Sequence, residues 1–417
     1  MEEQYAEIIV DVAHSSVDKI FDYSLIEGMD VQPGSRVIVP FGNMRTEGIV
    51  LSKKEQTDLP KNKIRQVERV VDEQPVVTSE QISLAQYMCA KYHATMAFCL
   101  RLMFPAKMRG ERIRPREVRV ATLIDEGILK QEETRCYTKE GLVRAKNRLK
   151  TIQALQAEKK VPTAVLDASA IRYLQEKGAI AISMEQQYRT PYAHLELREK
   201  KIILNKEQQQ AIAQISQSVS KGEKQVFLLH GVTGSGKTEV YIACVRRARE
   251  LGKSAIVLVP EISLTPQILR EFSRHFPGDI AVFHSGLSDG ERFDEWRRLR
   301  EGQAHIILGA RSAIFMPLEN LGLVILDEEH EPSYKAENFP PYHAAEIAKM
   351  RAAISGASVV LASATPLVED YAKAEMGIYK LIRLPHRVAD RPLPSISIVD
   401  MKREFLRGNR SVLSTKL

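Results

Sequence analysis

The sequence predicts a multidomain α/β protein built around a doubly wound parallel sheet, with a β-rich domain ahead of it and a helix-rich module between. Three observations carry this. From about residue 200 onward, short apolar runs alternate with helix-like stretches, the pattern of a parallel sheet covered on both faces. One of those runs delivers a glycine-rich loop, GVTGSGKT, directly into a helix-like stretch. The first hundred residues instead hold short alternating runs punctuated by turn dipeptides.

Residues 1–106 form the first predicted domain. Strand-like pieces lie at 5–12, 36–39, 48–52 and 66–71, separated by turns at Pro33-Gly34 and Phe41-Gly42-Asn43. A single helix is expected over 79–101, stopping at Pro105. Residues 107–198 form the second. Helices at 144–158 and 168–177 meet near Val161-Pro162-Thr163, and 179–188 alternates like one strand of a hairpin. Two helices followed by a hairpin predict a winged helix, with generic α+β packing as the alternative.

Residues 199–398 form the parallel-sheet lobe. Its strands are expected at 226–230, 255–260, 280–284, 305–309, 323–327, 359–363 and 379–384, with Gly252, Gly302 and Gly356 as helix stop signals. The loop Gly231, Val232, Thr233, Gly234, Ser235, Gly236, Lys237, Thr238 fits G-x-x-x-x-G-K-[ST] in the strand–loop–helix context that a phosphate-binding loop requires. Glycines let successive backbone N–H groups face one anion at the positive end of the following helix. Lys237 is positioned to reach the terminal phosphates, and Thr238 to ligate Mg²⁺.

Ninety residues on, the apolar run 321–326 delivers the acidic box Asp327, Glu328, Glu329, His330 at its C-terminal end, where ligands of open α/β sheets sit. Asp327 is expected to hold the Mg²⁺ and Glu328 to polarise an attacking water. An acidic cluster alone is usually a solvated loop. Paired with a phosphate loop it predicts nucleotide hydrolysis, with Lys237, Asp327 and Glu328 as the catalytic set.

Composition narrows the classes. With 44% hydrophobic and 27% charged residues, the chain has the make-up of a soluble globular protein rather than a disordered one. No apolar run approaches the roughly 20 residues needed to span a bilayer, so no membrane partner is expected. The N-terminus starts acidic without a signal-peptide core. The cysteines (Cys89, Cys99, Cys136, Cys244) lack C-x-x-C spacing, so neither a zinc site nor a disulfide framework is indicated. A cytoplasmic protein is expected. The net charge of +7 is unevenly placed: Lys107, Arg109, Arg112, Arg114, Arg116 and Arg119 form one cluster, read as a basic linker, and Lys139, Arg144, Lys146, Arg148 and Lys150 another. Either matches the footprint of a polyanion binder.

Further motifs follow the sheet in order: VPEISLTPQ (259–267), FHSGLSDGERFDEW (283–296), GARSAIFMPL (309–318), DEEHEPSYK (327–335) and SATP (363–366). With GVTGSGKTEVY they resemble the superfamily 2 helicases, and specifically the PriA family of bacterial replication-restart (primosomal) helicases. FDY (21–23) and PGSRVIVPFG (33–42) extend the resemblance over nearly the whole chain.

The resemblance implies a RecA-like motor lobe that uses ATP and Mg²⁺, and assigns roles residue by residue. Gln208 stands where such helicases read adenine. Arg311, Ser312 and the 260–267 loop match segments that grip a single strand. Ser363 and Thr365 match the pair that couples hydrolysis to lobe movement. Tyr334, Lys335, Phe339, Tyr342 and His343 match an aromatic-rich loop joining DNA contact to ATPase activity, and aromatic faces stacking on bases would serve it without sequence specificity. The N-terminal domain is similar to the family's pocket for a DNA 3′ end, with Asp22, Phe41, Gly42 and Arg65 at matching positions.

The activity implied is that of an ATP-dependent 3′-to-5′ DNA helicase that recognises stalled or abandoned forks and assembles the primosome at the nucleoid. Its partners would be forked and single-stranded DNA, single-stranded DNA-binding protein, and primosome and helicase-loading proteins. In this family a second lobe carries an arginine finger and zinc-binding paired cysteines. Those cysteine ligands are absent from this sequence, so 399–417 is taken as the start of a truncated second lobe and turnover by these residues alone as incomplete. Two alternatives stay open: a non-catalytic fork-binding fragment, and another superfamily 2 DNA translocase.

Overall fold

The computed structural model describes residues 4–12, 17–189, 203–388 and 396–417; the domain boundary expected at 198/199 lies outside them. The N-terminal domain is a six-stranded sheet of β1 (Tyr5–Val10), β2 (Phe21–Ser24), β3 (Arg36–Phe41), β4 (Met44–Lys54), β5 (Arg65–Gln66) and β6 (Arg69–Val70), in the order β5-β2-β1-β4-β3-β6. Strand alternation gives β1 two faces: Ala6, Ile8 and Val10 enter the domain's own core, while Ile9 enters a second core. Gly34 (φ +89°) has to be glycine, because a Cβ there would lie 1.8 Å from the Val77 carbonyl oxygen.

The single helix expected over 79–101 is two. A capping box of Thr78 and Gln81 starts α1 (Ser79–Tyr92). His93 ends it in a left-handed conformation, and Thr95 caps α2 (Met96–Arg101) by accepting from the Phe98 N–H.

The middle module holds β7 (Arg116–Leu123), α3 (Glu126–Thr134), α4 (Lys146–Ala157), β8 (Lys160–Pro162), α5 (Ala168–Glu176) and β9 (Ile180–Gln187). Leu129, Ile152, Leu155, Val161 and Leu174 make its core. Two expectations are corrected here. The end of the basic stretch is not linker: Arg116 and Arg119 lie on β7, the central strand of an antiparallel β8-β7-β9 sheet. Strand 180–187 forms, but its partner is β7 across the whole module, from Arg116↔Gln187 to Leu123↔Ile180, not a hairpin neighbour.

The third part is the RecA-like lobe. Its strands are β10 (Val226–Gly231), β11 (Ser254–Leu258), β12 (Ile280–Phe283), β13 (Ile306–Gly309), β14 (Leu321–Leu326), β15 (Ser358–Ser363) and β16 (Lys380–Leu384). All seven pair in parallel, in the order β12-β13-β11-β14-β15-β10-β16. Alternation along each strand splits the apolar side chains between two faces. Phe227, Leu229, Val257 and Ile325 pack with α6 (Lys206–Lys221), α7 (Lys237–Glu250) and α8 (Pro266–His275). Leu228, Ile256, Val324 and Leu361 pack with α9 (Asp289–Arg300) and α10 (Ala344–Ser355). That second core also takes in α1 and α2 of the N-terminal domain. The helix α11 (Val368–Glu375) precedes the edge strand β16, and α12 (Met401–Leu406) lies near the end. No helix among the described residues is long and apolar enough to cross a membrane.

Candidate nucleotide site and nucleic-acid cleft

Strand order decides which loops meet. β15 lies between β10 and β14, so the loops leaving the C-terminal ends of these three strands are neighbours. They are the phosphate loop, the acidic box and the SATP segment.

The phosphate loop has the conformation its glycines permit: Gly234 (φ +83°) and Gly236 (φ +77°) are left-handed, and α7 begins at Lys237. Lys237 is 9% exposed, and its Nζ donates to the Gly231 carbonyl at 3.0 Å and lies 3.6 Å from a Glu328 oxygen. The Ser235 hydroxyl is buried with no partner among the described residues. A left-handed loop, a buried amine and an unpartnered hydroxyl at a helix N-terminus fit a bound phosphate.

The acidic box is turned by one unusual residue. Glu328 has φ +45°, rare for a side chain with a Cβ. The turn points successive residues in different directions. Asp327 accepts from the Tyr241 hydroxyl at 2.7 Å, and Glu328 meets Lys237. Glu329 turns back into the sheet, 1% exposed, where its carboxylate accepts from the Leu367 N–H at 2.8 Å. His330 Nδ1 lies 2.7 Å from the Ser363 hydroxyl, which also accepts from the Thr365 N–H at 2.9 Å. Of the expected coupling pair, Ser363 therefore touches the box directly and Thr365 meets it only through Ser363. Burial raises the Asp327 carboxyl above its ordinary value, against the lowering effect of the Tyr241 bond, and burial likewise raises Glu329. A divalent cation beside Asp327 would offset that cost, so Asp327 and Thr238 suit the Mg²⁺ that a helicase of this family implies.

Gln208 is 2% exposed. Its amide Nε2 donates to the Ser235 carbonyl at 3.0 Å, and its Oε1 accepts from the Asn205 N–H at 2.9 Å. It thus ties the start of α6 to the phosphate loop. Tyr241 had no signal in the sequence beyond its place one turn after Lys237.

The loops expected to grip a single strand line one cleft of about 840 Å³: Pro260 and Glu261, Arg311 and Ser312, Tyr334 and Lys335. Arg311 donates to the backbone carbonyls of Ser333 and Lys335, and its guanidinium lies over the Tyr342 ring. The expectation that this loop's aromatics stack on bases is corrected for two of the three. Tyr334 and Tyr342 are buried, 1% and 5% exposed, and only Phe339, at 55%, offers a face. Tyr334 is held inside because its hydroxyl reaches the carbonyl oxygens of Asp327 at 2.7 Å and Leu258 at 3.1 Å.

In the N-terminal domain, Arg65 donates to the Gly42 carbonyl at 2.6 Å, and Phe41 packs edge-on against Phe21. Arg65 pairs beside Tyr23 in the sheet, which gathers Phe41, Gly42 and Arg65 at one corner. Asp22 accepts from Thr57 at 2.5 Å and from Lys54 at 2.8 Å. Among the described residues no group of three or more His, Cys, Asp or Glu side chains is placed to hold a metal ion, and the zinc implied by the resemblance has no ligand set there.

Residues 7–105 match the PriA 3′ DNA-binding domain (3′BD), and residues 205–374 match the DEAD/DEAH box helicase domain. The replication restart protein PriA of Bacillus subtilis (strain 168) is 37% identical over 99% of this chain and 60% of its own length. Those of Chlamydia pneumoniae and Haemophilus influenzae are 34% and 32% identical, over 98% and 94% of this chain and 55% and 54% of theirs. The chain thus spans between 54% and 60% of the length of these relatives. Along its length the chain is similar to the PriA replication restart proteins, and it carries a match to the PriA 3′ DNA-binding domain and one to the DEAD/DEAH box helicase domain.

Proposed function

We propose that this chain supplies the ATP-binding lobe and the fork-recognition domains of an ATP-dependent 3′-to-5′ DNA helicase that restarts replication at stalled or abandoned forks. The observation that carries this reading is the Tyr334 hydroxyl bond to the Asp327 carbonyl at 2.7 Å. It joins the wall of the nucleic-acid cleft to the acidic box, so a strand entering the cleft bears directly on the residues facing the nucleotide.

In this mechanism the loop 231–238 holds the phosphates of ATP, and Lys237 exchanges its present partners, Gly231 and Glu328, for the terminal phosphates. Releasing Glu328 frees it to accept the proton of the attacking water. Mg²⁺, held by Thr238 and Asp327, would neutralise charge on the phosphates. His330, Ser363 and Thr365 carry the change away from the nucleotide. In the N-terminal domain, Asp22, Phe41, Gly42 and Arg65 receive a DNA 3′ end. The middle module acts as a winged helix on duplex DNA. Single-stranded DNA-binding protein and primosome loading proteins are the expected partners, in the cytoplasm at the nucleoid.

The test uses the complete protein. Lys237→Ala is expected to abolish ATP hydrolysis while fork binding persists; equal loss of both in a folded variant would overturn the division of labour. Glu328→Gln keeps nucleotide binding and slows turnover by about 10²–10⁴-fold, the usual worth of a general base. Tyr334→Phe keeps basal hydrolysis and loses its stimulation by DNA. Partial duplexes with overhangs of either polarity report the direction.

A further inference from the structure

A cavity of about 440 Å³ lies where all three parts of the chain meet, away from the nucleotide site and the 840 Å³ cleft. Its walls come from the end of the N-terminal sheet (Arg36, Asp72), the segment leading into β7 (Arg114), β9 (Gln186) and α9 (Trp296, Arg297, Arg300). Its size suits a nucleotide-scale ligand, within roughly 300–1,000 Å³.

The charges in it are unequally satisfied. Arg36 is paired with Asp72 at 2.8 Å and with Glu47, and Arg297 with Glu301 at 3.0 Å. Arg69 holds Glu111. Arg114 and Arg300 make no hydrogen bond or close ion pair among the described residues; Arg114 feels only the charge of Glu111, which Arg69 already holds. Burial lowers the Arg300 guanidinium below its ordinary value, and the more distant Glu319 only partly offsets this. The indole N–H of Trp296 and Nε of Arg300 are buried donors without an acceptor among the described residues, while Nη1 of Arg297 makes no hydrogen bond and faces the Asp294 carboxylate at 4.0 Å. A buried donor left without an acceptor keeps its desolvation cost unrepaid. Trp296 and Arg300 thus present unmet donors from one helix to a cavity where Asp72, Glu111 and Glu301 are already engaged by Arg36, Arg69 and Arg297, leaving Glu73 as the other acid on its wall. A wall that only packed would neutralise Arg300, as Arg36 is neutralised.

Outside the cavity the same imbalance continues. Arg112, Arg114 and Arg116 are all exposed and in no close ion pair among the described residues, and they run from the cavity mouth to the start of β7; Arg119 lies on the other face of that strand. A track of cations leading to a donor-rich pocket suits a linear polyanion better than a compact one. We propose that this cavity is a phosphate site for a nucleic-acid backbone, with Arg114 and Arg300 as its contacts. The choice of nucleic acid over a free phosphate compound rests on the DNA reading above; the site itself does not.

Trp296 is the only tryptophan of the chain, so its emission reports this cavity alone. The experiment titrates the 417-residue chain carrying Lys237→Ala, which removes phosphate binding at the motor loop, with a single-stranded oligonucleotide and separately with tripolyphosphate. A saturable change in Trp296 emission with the oligonucleotide is expected. Arg114→Ala with Arg300→Ala should abolish it and flatten the log–log salt dependence of binding by about 0.7–0.9 per contact. Lys335→Ala, in the other cleft, should leave it unchanged. Arg300→Lys guards against misfolding of the double variant, since it keeps the charge and should retain the signal. A response to tripolyphosphate alone overturns the nucleic-acid source. Emission unmoved by either probe, or a signal that survives the double variant, overturns the site. None of these outcomes depends on ATP hydrolysis, so loss of the helicase reading would be seen separately.

Discussion

The two boundaries of the RecA-like lobe are built differently. Toward the N-terminal domain there is one continuous core: Ile82, Leu84 and Met88 of α1 share a cluster with Phe315, Ile347 and Ala348 of the lobe. Arg351 on α10 crosses it fully buried, bonded to Glu80 at 2.7 Å and to the carbonyl oxygens of Ile314 and Met316, while Gln81 donates to the Phe315 carbonyl at 2.6 Å. Toward the middle module the contacts are polar. Arg189 pairs with Asp294 at 2.8 Å, Tyr188 meets Glu301 and Gln303, and Arg297 meets Gln186. The module keeps a core of its own. A shared dry core ties the N-terminal domain and the lobe into one unit, whereas a seam of polar contacts leaves more room for relative movement.

The largest expected effect breaks the first boundary. Glu80→Ala leaves Arg351 buried without its carboxylate, which costs about 3–5 kcal/mol. Urea unfolding followed by far-ultraviolet circular dichroism should show the N-terminal domain and the lobe losing stability together, in one transition. Wild-type stability in Glu80→Ala would mean that water reaches Arg351 and that this boundary is no core.

Next comes the module's own core. Ile152 is fully buried on α4, and Ile152→Ala should cost about 2–5 kcal/mol. The loss should be confined to the module, with nucleotide binding at Lys237 and the main unfolding transition unchanged. A shift of both transitions would show that the polar seam couples the two parts after all.

That asymmetry was only half legible in the sequence. The phosphate loop, the acidic box and every strand of the parallel sheet could be read, because each rests on local chemistry: glycines at a turn, carboxylates after an apolar run, short continuous apolar runs between helix-like stretches. What failed was set by contacts distant in sequence. β7 opens with Arg116, Glu117 and Arg119, so its charge hid the alternation of Val118 and Val120. Helix 79–101 carries no proline, and its break depends on His93 accepting a left-handed turn. Tyr334 and Tyr342 read as surface aromatics because nothing nearby announces that the carbonyls of Leu258, at the end of β11, and Asp327, just past β14, await the Tyr334 hydroxyl. The shared core itself had no signature, since α1 is patterned like any helix that covers a sheet.

A smaller effect sharpens the comparison through pH. Glu346 on α10 lies between Lys91 of α1, at 3.0 Å, and Lys349. Burial alone would raise its carboxyl, but hydrogen bonds from Lys349 and Lys91 bring it from 4.5 down to about 2. A depressed folded value means the contribution is complete above the unfolded value and is lost as pH falls from about 4.5 through about 2. Because this side chain is 38% exposed, solvent screens much of it. Glu346→Gln should therefore flatten the acid limb of the stability curve in that window and leave pH 7 behaviour nearly unchanged. An unaltered acid limb would remove this clamp from the shared boundary.

The smallest effect is expected at the polar seam. Tyr188→Phe removes a hydroxyl that meets Glu301 and Gln303, and with it one anchor of the segment leaving β9. The Glu301 side chain is 34% exposed, and Arg297 still binds it at 3.0 Å. Neither partner is stranded in a dry site, so the loss should stay within about 0.5–1.5 kcal/mol, the net worth of one hydrogen bond. Its signature should be local: faster amide exchange near residues 186–189, with no change in the unfolding midpoint of the lobe. A cost comparable to that of Glu80→Ala would mean that the seam is as closed as the shared core, and that the middle module rides on the motor as rigidly as the N-terminal domain does.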